Sequence, residues 1–143
     1  MRVALLVAAL GIAAAPATAE EFDAGRFVVH YVALGTEQLS PKVAAAYGIA
    51  RRPDRVLLNV TILRKVQGEP GKPITALVQA SALSGDGRYR PLTMRRVDEP
   101  PAVTYLGEVT VADRETLSFE INLLIEGETA PIRLRLQQQF FTR

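Results

Sequence analysis

The sequence predicts an all-β protein, an immunoglobulin-like antiparallel β-sandwich of about seven strands with one short helix. Segments of about ten residues alternate apolar with polar side chains, which is typical of half-buried strands. Gly, Pro and Asp separate these segments at intervals of roughly 8–15 residues. Parallel neighbours would need crossover helices, and the pattern holds none of that length, so we expect antiparallel pairing.

The first nineteen residues predict a secretory signal peptide, which leaves residues 20–143 as a single domain. Arg2 precedes an apolar run over residues 3–15, and Ala17-Thr18-Ala19 has the form of a cleavage site. The run is shorter than the ~20 residues that span a bilayer. The chain has no Cys, so neither a lipid anchor nor disulfides are expected. We therefore predict a periplasmic protein without a membrane anchor after cleavage, whose acidic residues 20–23 are frayed.

The first half of the domain predicts two strands with the helix between them. Residues 26–34 are rich in Val and aromatic residues and alternate. Ser40 as N-cap, Pro41 at the first helical position and Gly48 after the end predict a helix over residues 41–47. Residues 55–64 are apolar on both faces, so this strand should be covered on both sides.

The second half predicts the remaining strands. They cover residues 74–84, 88–97, 102–111, 116–125 and 131–141, and Gly85-Asp86-Gly87 closes a hairpin between the first two. Pro91 lacks a donor for the ladder and predicts an edge strand. The predicted core consists of Phe27, Val29, Tyr31, Val56, Leu58, Val60, Ile62, Val78, Leu106, Leu117, Phe119, Ile121, Leu123, Leu134 and Leu136.

Composition argues against several functional classes. Lys and Arg number 17 against 15 Asp and Glu, and aromatic residues are few, unlike the dense basic face of a nucleic-acid-binding protein. One His and no Cys predict no metal site, and the absence of a glycine-rich phosphate loop predicts no nucleotide cofactor. His30 is the only candidate for a catalytic histidine base, and a half-buried strand histidine hydrogen-bonded to a neighbour is the favoured interpretation. We expect no enzymatic activity and no cofactor.

Five residues are candidates for ligand binding at one end of the sandwich, where loops usually carry function. They are His30, Tyr31, Tyr47, Arg51 and Asn59. Together they would line a pocket of a few hundred Å³. The structural alternative has Tyr47 packing the helix on the sheet, Asn59 bonding a loop backbone and Arg51 solvated.

Arginines concentrate on two predicted strands. They are Arg88, Arg90, Arg95 and Arg96 on the fourth and Arg133 and Arg135 on the last. If these strands are neighbours, an arginine-lined surface for carboxylates or an acidic partner results. Solvated charges that keep sheet edges from pairing are the favoured alternative.

Three motifs resemble those of a family of small exported proteobacterial proteins catalogued as a domain of unknown function. They are His30-Tyr31-x-Ala33-x-x-Thr36, Leu39-Ser40-Pro41-x-Val43-Ala44-x-x-Tyr47-Gly48-Ile49, and Asn59-Val60 with a closing Gln139-Phe140-Phe141. The resemblance covers nearly all of the chain after residue 19. It implies a periplasmic, single-domain β-protein and supplies no catalytic residue.

The function predicted from the sequence is an exported, non-enzymatic binding or accessory module. Its partner would be a periplasmic protein, contacted through loops or an exposed sheet edge that can accept a further strand. The alternative is a small-ligand carrier or weak enzyme with its pocket near His30, Tyr47 and Asn59. The sequence leaves the oligomeric state open.

Overall fold

The protein is a sandwich of two antiparallel sheets with one short helix, as predicted. The computed structural model describes residues 19–99 and 102–142, so all but the last residue of the predicted signal peptide lies outside the described residues. The elements are β1 (Glu20–Ala24), β2 (Phe27–Gly35), a 3-10 helix (Thr36–Gln38), α1 (Pro41–Ala46), β3 (Arg55–Arg64), β4 (Lys72–Pro73), β5 (Ala76–Ser84), β6 (Tyr89–Leu92), β7 (Arg95–Glu99), β8 (Ala102–Thr110), β9 (Glu115–Ile125) and β10 (Ile132–Phe140).

The strands are divided between two sheets. In sheet A the order is β1-β2-β3-β8-β7, with the short β4 also paired to β3. In sheet B the order is β10-β9-β5-β6. Every pair of neighbours is antiparallel. Among the described residues, the edge strands are therefore β1 and β7 in sheet A and β10 and β6 in sheet B.

The acidic start of the domain departs from its prediction. The expectation that residues 20–23 fray was wrong, because β1 pairs with β2 along its whole length, from Glu20 opposite Tyr31 to Ala24 opposite Phe27. The tight turn is favoured by Gly25, whose φ of 76° suits glycine, and by the Asp23 carboxylate, which accepts from the Gly25 amide at 3.0 Å.

The predicted strand over residues 88–97 is two strands in different sheets. β6 pairs with β5 in sheet B, and β7 pairs with β8 in sheet A. Met94 lies at the crossing and packs against Gly107 of β8, where an added Cβ would lie 2.4 Å from the Met94 sulfur. Pro91 lies on the edge strand β6, as predicted.

The main core lies between the two sheets. All fifteen predicted core residues are buried, and only Leu106 of that set lies outside the main core. Phe119 is fully buried near the centre and meets Phe140 edge-on, with ring centroids 6.3 Å apart. The alternation of apolar residues therefore predicted the interior faces of both sheets.

A second, smaller core covers the outer face of sheet A. The segment between β2 and β3 folds back over that face, with the Ser40 hydroxyl accepting from the Val43 amide at 3.2 Å to begin α1. The cluster comprises Val32, Leu34, Leu39, Ala44, Ile49, Leu57 and Leu106. β3 is thus covered on both faces, as predicted. No helix among the described residues is long and apolar enough to cross a membrane.

Candidate functional site

Sheet A separates the five predicted ligand-binding residues. Tyr31 faces the interior between the sheets, whereas Asn59 pairs with Val32 and Leu106 on the outer face beneath the covering segment. Burial, and secondarily the charge of Glu20, raise the pKa of the Tyr31 phenol. Because the two side chains lie on opposite sides of one sheet, the five residues do not converge on one cavity.

His30 lies on the outer face of sheet A between β1 and β3. Its register partners are Glu21 and Thr61, and 33% of its side chain is exposed. The Nδ1 atom is 3.8 Å from the Glu21 carboxylate, an ion-pair distance rather than a hydrogen bond. The predicted half-buried position is correct, whereas the predicted hydrogen bond to a neighbour is replaced by this longer contact with an acidic residue of β1.

Arg51 holds the covering segment in place. Its guanidinium donates from Nε to the Leu39 carbonyl at 2.8 Å and from Nη2 to the Glu37 carbonyl at 2.9 Å. The expectation that Arg51 is merely solvated was wrong, because its guanidinium donates to two carbonyls at the C-terminal end of the 3-10 helix, where the last carbonyls have no partner within the helix.

Tyr47 packs α1 onto sheet A, as the structural interpretation predicted. Its ring is partly buried against the second core, and its hydroxyl donates to the Glu99 carboxylate at 2.9 Å. Asn59 departs from that interpretation. Its Oδ1 atom is buried and has no hydrogen-bond partner among the described residues, so it bonds no loop backbone through that oxygen.

The predicted arginine-lined surface does not form. β6 and β10 are the two opposite edges of sheet B, and β7 belongs to sheet A. Arg90 of β6 instead donates to the Glu115 carboxylate at 2.8 Å and to the Thr110 carbonyl. These contacts tie β6 to the turn between β8 and β9.

The outer face of sheet B carries a different candidate surface. No described segment covers it, and four large apolar side chains are exposed on it in two cross-strand pairs. Leu77 lies opposite Leu124 near one end, and Leu83 lies opposite Tyr89 near the other. Tyr89 is 66% exposed, the largest value among these four. An aromatic and an aliphatic residue side by side on a solvated face are typical of a contact surface.

The Leu83–Tyr89 pair forms one wall of a shallow cleft of about 260 Å³, which we call the Tyr89 cleft. Its lining residues are Ser81, Leu83, Tyr89, Ser118, Glu120, Arg135, Leu136 and Gln137. Arg135 lies directly opposite Glu120, and their charged groups approach to 2.9 Å. The cleft therefore combines an apolar wall with exposed hydroxyl, amide and ionic groups.

The sequence contains a signal for this surface outside its recognisable motifs. Along β9, Ser118, Glu120 and Asn122 occupy the polar face, and Leu124 continues the same alternation with an apolar residue. Leu77 and Leu83 do the same along β5, where Gln79 and Ser81 separate them. Leucines on the polar side of an alternating strand indicate a solvent-facing apolar contact.

The described residues contain no group of three or more His, Cys, Asp or Glu side chains placed to hold a metal ion.

The sequence matches the family described as "Domain of unknown function (DUF4426)" over residues 21–143. The chain belongs to this family. A crystal structure of a DUF4426 family protein from Pseudomonas aeruginosa PAO1 is 30% identical, with a TM-score of 0.71, and the match covers 86% of this chain and 94% of that one. The family resemblance of the sequence motifs is thereby confirmed.

More distant structures share the fold. FetP of uropathogenic Escherichia coli strain F11, expressed in the periplasm, is 12% identical with a TM-score of 0.59, and the match covers 87% of this chain and 95% of that one. A copper-bound variant of the same protein matches with the same values. No curated protein matches the chain.

Proposed function

We propose that this member of the family is an exported, non-enzymatic binding module that contacts a protein partner through the outer face of sheet B. The observation that carries the proposal is the Tyr89 cleft on a sheet face that no described segment covers. The signal-peptide pattern supports export.

The size of the cleft favours a protein side chain over a small-molecule ligand. At about 260 Å³ it lies below the ~300–1,000 Å³ of typical small-molecule sites and is shallow. Leu83 and Tyr89 offer an apolar wall, and tyrosine is among the residues that most often dominate protein–protein binding energy. Ser81, Ser118 and Gln137 can exchange hydrogen bonds with a polypeptide backbone. We infer that an apolar side chain of the partner occupies the cleft.

The copper bound by the E. coli variant does not indicate that this chain binds copper. At 12% identity the likeness shows a shared fold alone. The residues here also do not fit a copper centre built from several histidine or sulfur ligands, because the chain has one His, two Met and no Cys. Among the described residues, the titratable group within ion-pair reach of His30 is the Glu21 carboxylate, at 3.8 Å.

Site-specific photo-crosslinking in the source bacterium tests the proposal. A photoreactive phenylalanine analogue in place of Tyr89 should give a discrete adduct with another protein. The same analogue in place of Lys42, an exposed residue of α1 on the opposite side of the molecule, is the matched control.

Adding Leu83→Asp to the Tyr89 probe should abolish the adduct while leaving the far-ultraviolet spectrum unchanged, because Leu83 is 46% exposed. No adduct at Tyr89, equal labelling from Lys42, or an adduct that survives Leu83→Asp would each contradict the proposal. An adduct with the mass of two copies of this chain would also contradict it, since the occupant would then be the protein itself.

A further inference from the structure

β1 and β10 are free edges on the same side of the sandwich. Arg26, just before β2, is ion-paired with Glu128, just before β10. Gly35 at the end of β2 lines the same cavity as Gln138 and Phe140 at the end of β10. β2 therefore lies over β10 and runs in the same direction. β1 pairs with the other side of β2, so it extends one strand beyond sheet B and is antiparallel to β10.

The two edges carry opposite charges. Glu21 and Asp23 of β1 lie on the outer face, opposite His30 and Val28. Arg133 and Arg135 of β10 lie on the outer face of sheet B, opposite Asn122 and Glu120. Edge strands rich in one sign of charge resist pairing with themselves and favour an edge of the opposite sign.

β1 also exposes an apolar side chain toward the interior. Phe22 lies opposite the fully buried Val29, so it points to the inner side of sheet A, yet it is 40% exposed. The reason is geometric, because β1 overhangs sheet B and has no strand of sheet B beneath it. Phe22 therefore points in the same direction as the main core but lacks a packing partner from sheet B.

We infer that two copies of this chain form a symmetric dimer in which β1 of each copy pairs antiparallel with β10 of the other. The two-fold axis of this dimer runs parallel to the strands, between the planes of the two sheets. A rotation about it keeps the direction of every strand and brings sheet A of one copy into the plane of sheet B of the other. It therefore places β1 of one copy in the plane of its partner's sheet B. The overhang of one strand lets both such pairings form at once, and each sheet A continues into the partner's sheet B.

One register of β1 against β10 of the other copy pairs the opposite charges and also buries the apolar side chains. With Glu21 opposite Arg135, Asp23 falls opposite Arg133 and Phe22 falls opposite Leu134. Both acidic residues then meet arginines on the outer face, and the two Phe22 rings face each other across the axis inside the extended core. The pairing also removes both free edges on this side, which an isolated copy leaves open.

The existing ion pairs identify Glu21 and Arg135 as the pair to test. Asp23 already accepts from Lys65 at 2.7 Å, an interaction that lowers the pKa of its carboxyl. In the part of the chain that the structure describes, the ion-pair partner of Glu21 is His30, at 3.8 Å. Arg135 contacts Glu120 but its side chain is 84% exposed, so it can turn toward a second carboxylate.

The experiment is a charge exchange followed by sedimentation equilibrium on the protein purified from the full gene. The wild type should sediment as a dimer at micromolar concentration. Glu21→Arg and Arg135→Glu should each sediment with a twofold lower mass, because each places like charges in both copies of the interface. Lys42→Glu, a reversal of charge on α1 away from this edge, is the control and should remain dimeric.

Mixing the two monomeric variants should restore the dimer, since both strand pairs then join opposite charges. A monomeric wild type, single variants that remain dimeric, or a mixture that stays monomeric would overturn the inference. As a direct measurement, a Glu21→Cys, Arg135→Cys double variant should form a disulfide-linked dimer in air, because the two positions lie on opposite faces within one copy. Failure to cross-link faster than either single-cysteine variant would equally overturn it. Arg135 also lines the Tyr89 cleft, whereas Glu21 does not, so the Glu21→Arg variant tests the dimer separately from the proposed function.

Discussion

The outer faces of the two sheets are built from the same kind of alternating strand, but the chain covers one of them and leaves the other exposed. On sheet A, apolar residues such as Leu34 and Leu57 are fully buried beneath the 3-10 helix and α1. On sheet B, Leu77 and Leu83 are 59% and 46% exposed, and no described segment lies over them. An apolar residue on an outer face is therefore a structural element where the chain covers it and a candidate contact where the chain does not.

The comparison also separates stability from function. The covering segment is held by hydrogen bonds that the Arg51 and Thr36 side chains donate to its own backbone carbonyls, and these bonds belong to the fold. The Leu83 and Tyr89 side chains of the Tyr89 cleft are exposed and lie outside both core clusters. Substitutions on the first face should therefore change the free energy of unfolding, and substitutions on the second should change binding.

The largest expected effect is the contrast between two identical substitutions. Leu57→Ala opens a cavity beneath the covering segment and should lower the free energy of unfolding by about 2–5 kcal/mol. Leu77→Ala on the exposed face should change it by no more than about 0.5 kcal/mol. Urea unfolding monitored by circular dichroism measures both. Similar losses for the two variants would mean that sheet B is covered as well.

A smaller effect is expected where the two ends of the covering segment are tied to each other. The Thr36 hydroxyl, fully buried, accepts from the Arg52 amide at 2.9 Å and donates to the Arg52 carbonyl at 3.0 Å. Thr36→Val keeps the shape and removes both bonds, so it should cost about 1–3 kcal/mol. Thr36→Ser retains the hydroxyl and is the control. Faster hydrogen exchange in residues 36–52 of the valine variant alone would locate the loss in the covering segment.

The smallest effect concerns the hairpin of sheet B. Hydrogen bonds from the Ser84 hydroxyl and then the Arg88 amide lower the pKa of the Asp86 carboxyl. A carboxyl whose pKa is lowered in the folded state stabilises the protein fully above its unfolded-state pKa. That contribution is lost as the pH falls from the unfolded-state pKa through the lower folded-state pKa. Wild type should therefore unfold at a higher urea concentration than Asp86→Asn at pH 7, and the gap should close below about pH 4. A gap independent of pH would show that the charge of Asp86 contributes nothing.

Local patterns predicted the strands well because burial follows the two-residue period. Leu117, Phe119, Ile121 and Leu123 alternate along β9, and all four are fully buried. The N-cap Ser40 and the turn around Gly85 were likewise set by local backbone preferences. The acidic start of β1 was mispredicted because charge indicates a solvated edge as readily as a frayed end.

The sequence by itself determined which residues form strands, where the helix begins, and which side of each strand is apolar, because these follow from interactions between residues close in the chain. Tertiary structure alone decided that β2 and β3 are neighbours in sheet A, that the arginine-bearing strands lie apart, and that β1 extends beyond β10. The physical reason is that strand order and the covering of a sheet face depend on contacts between distant segments. Many strand orders satisfy the same alternation, and only the packing of the whole chain selects one of them.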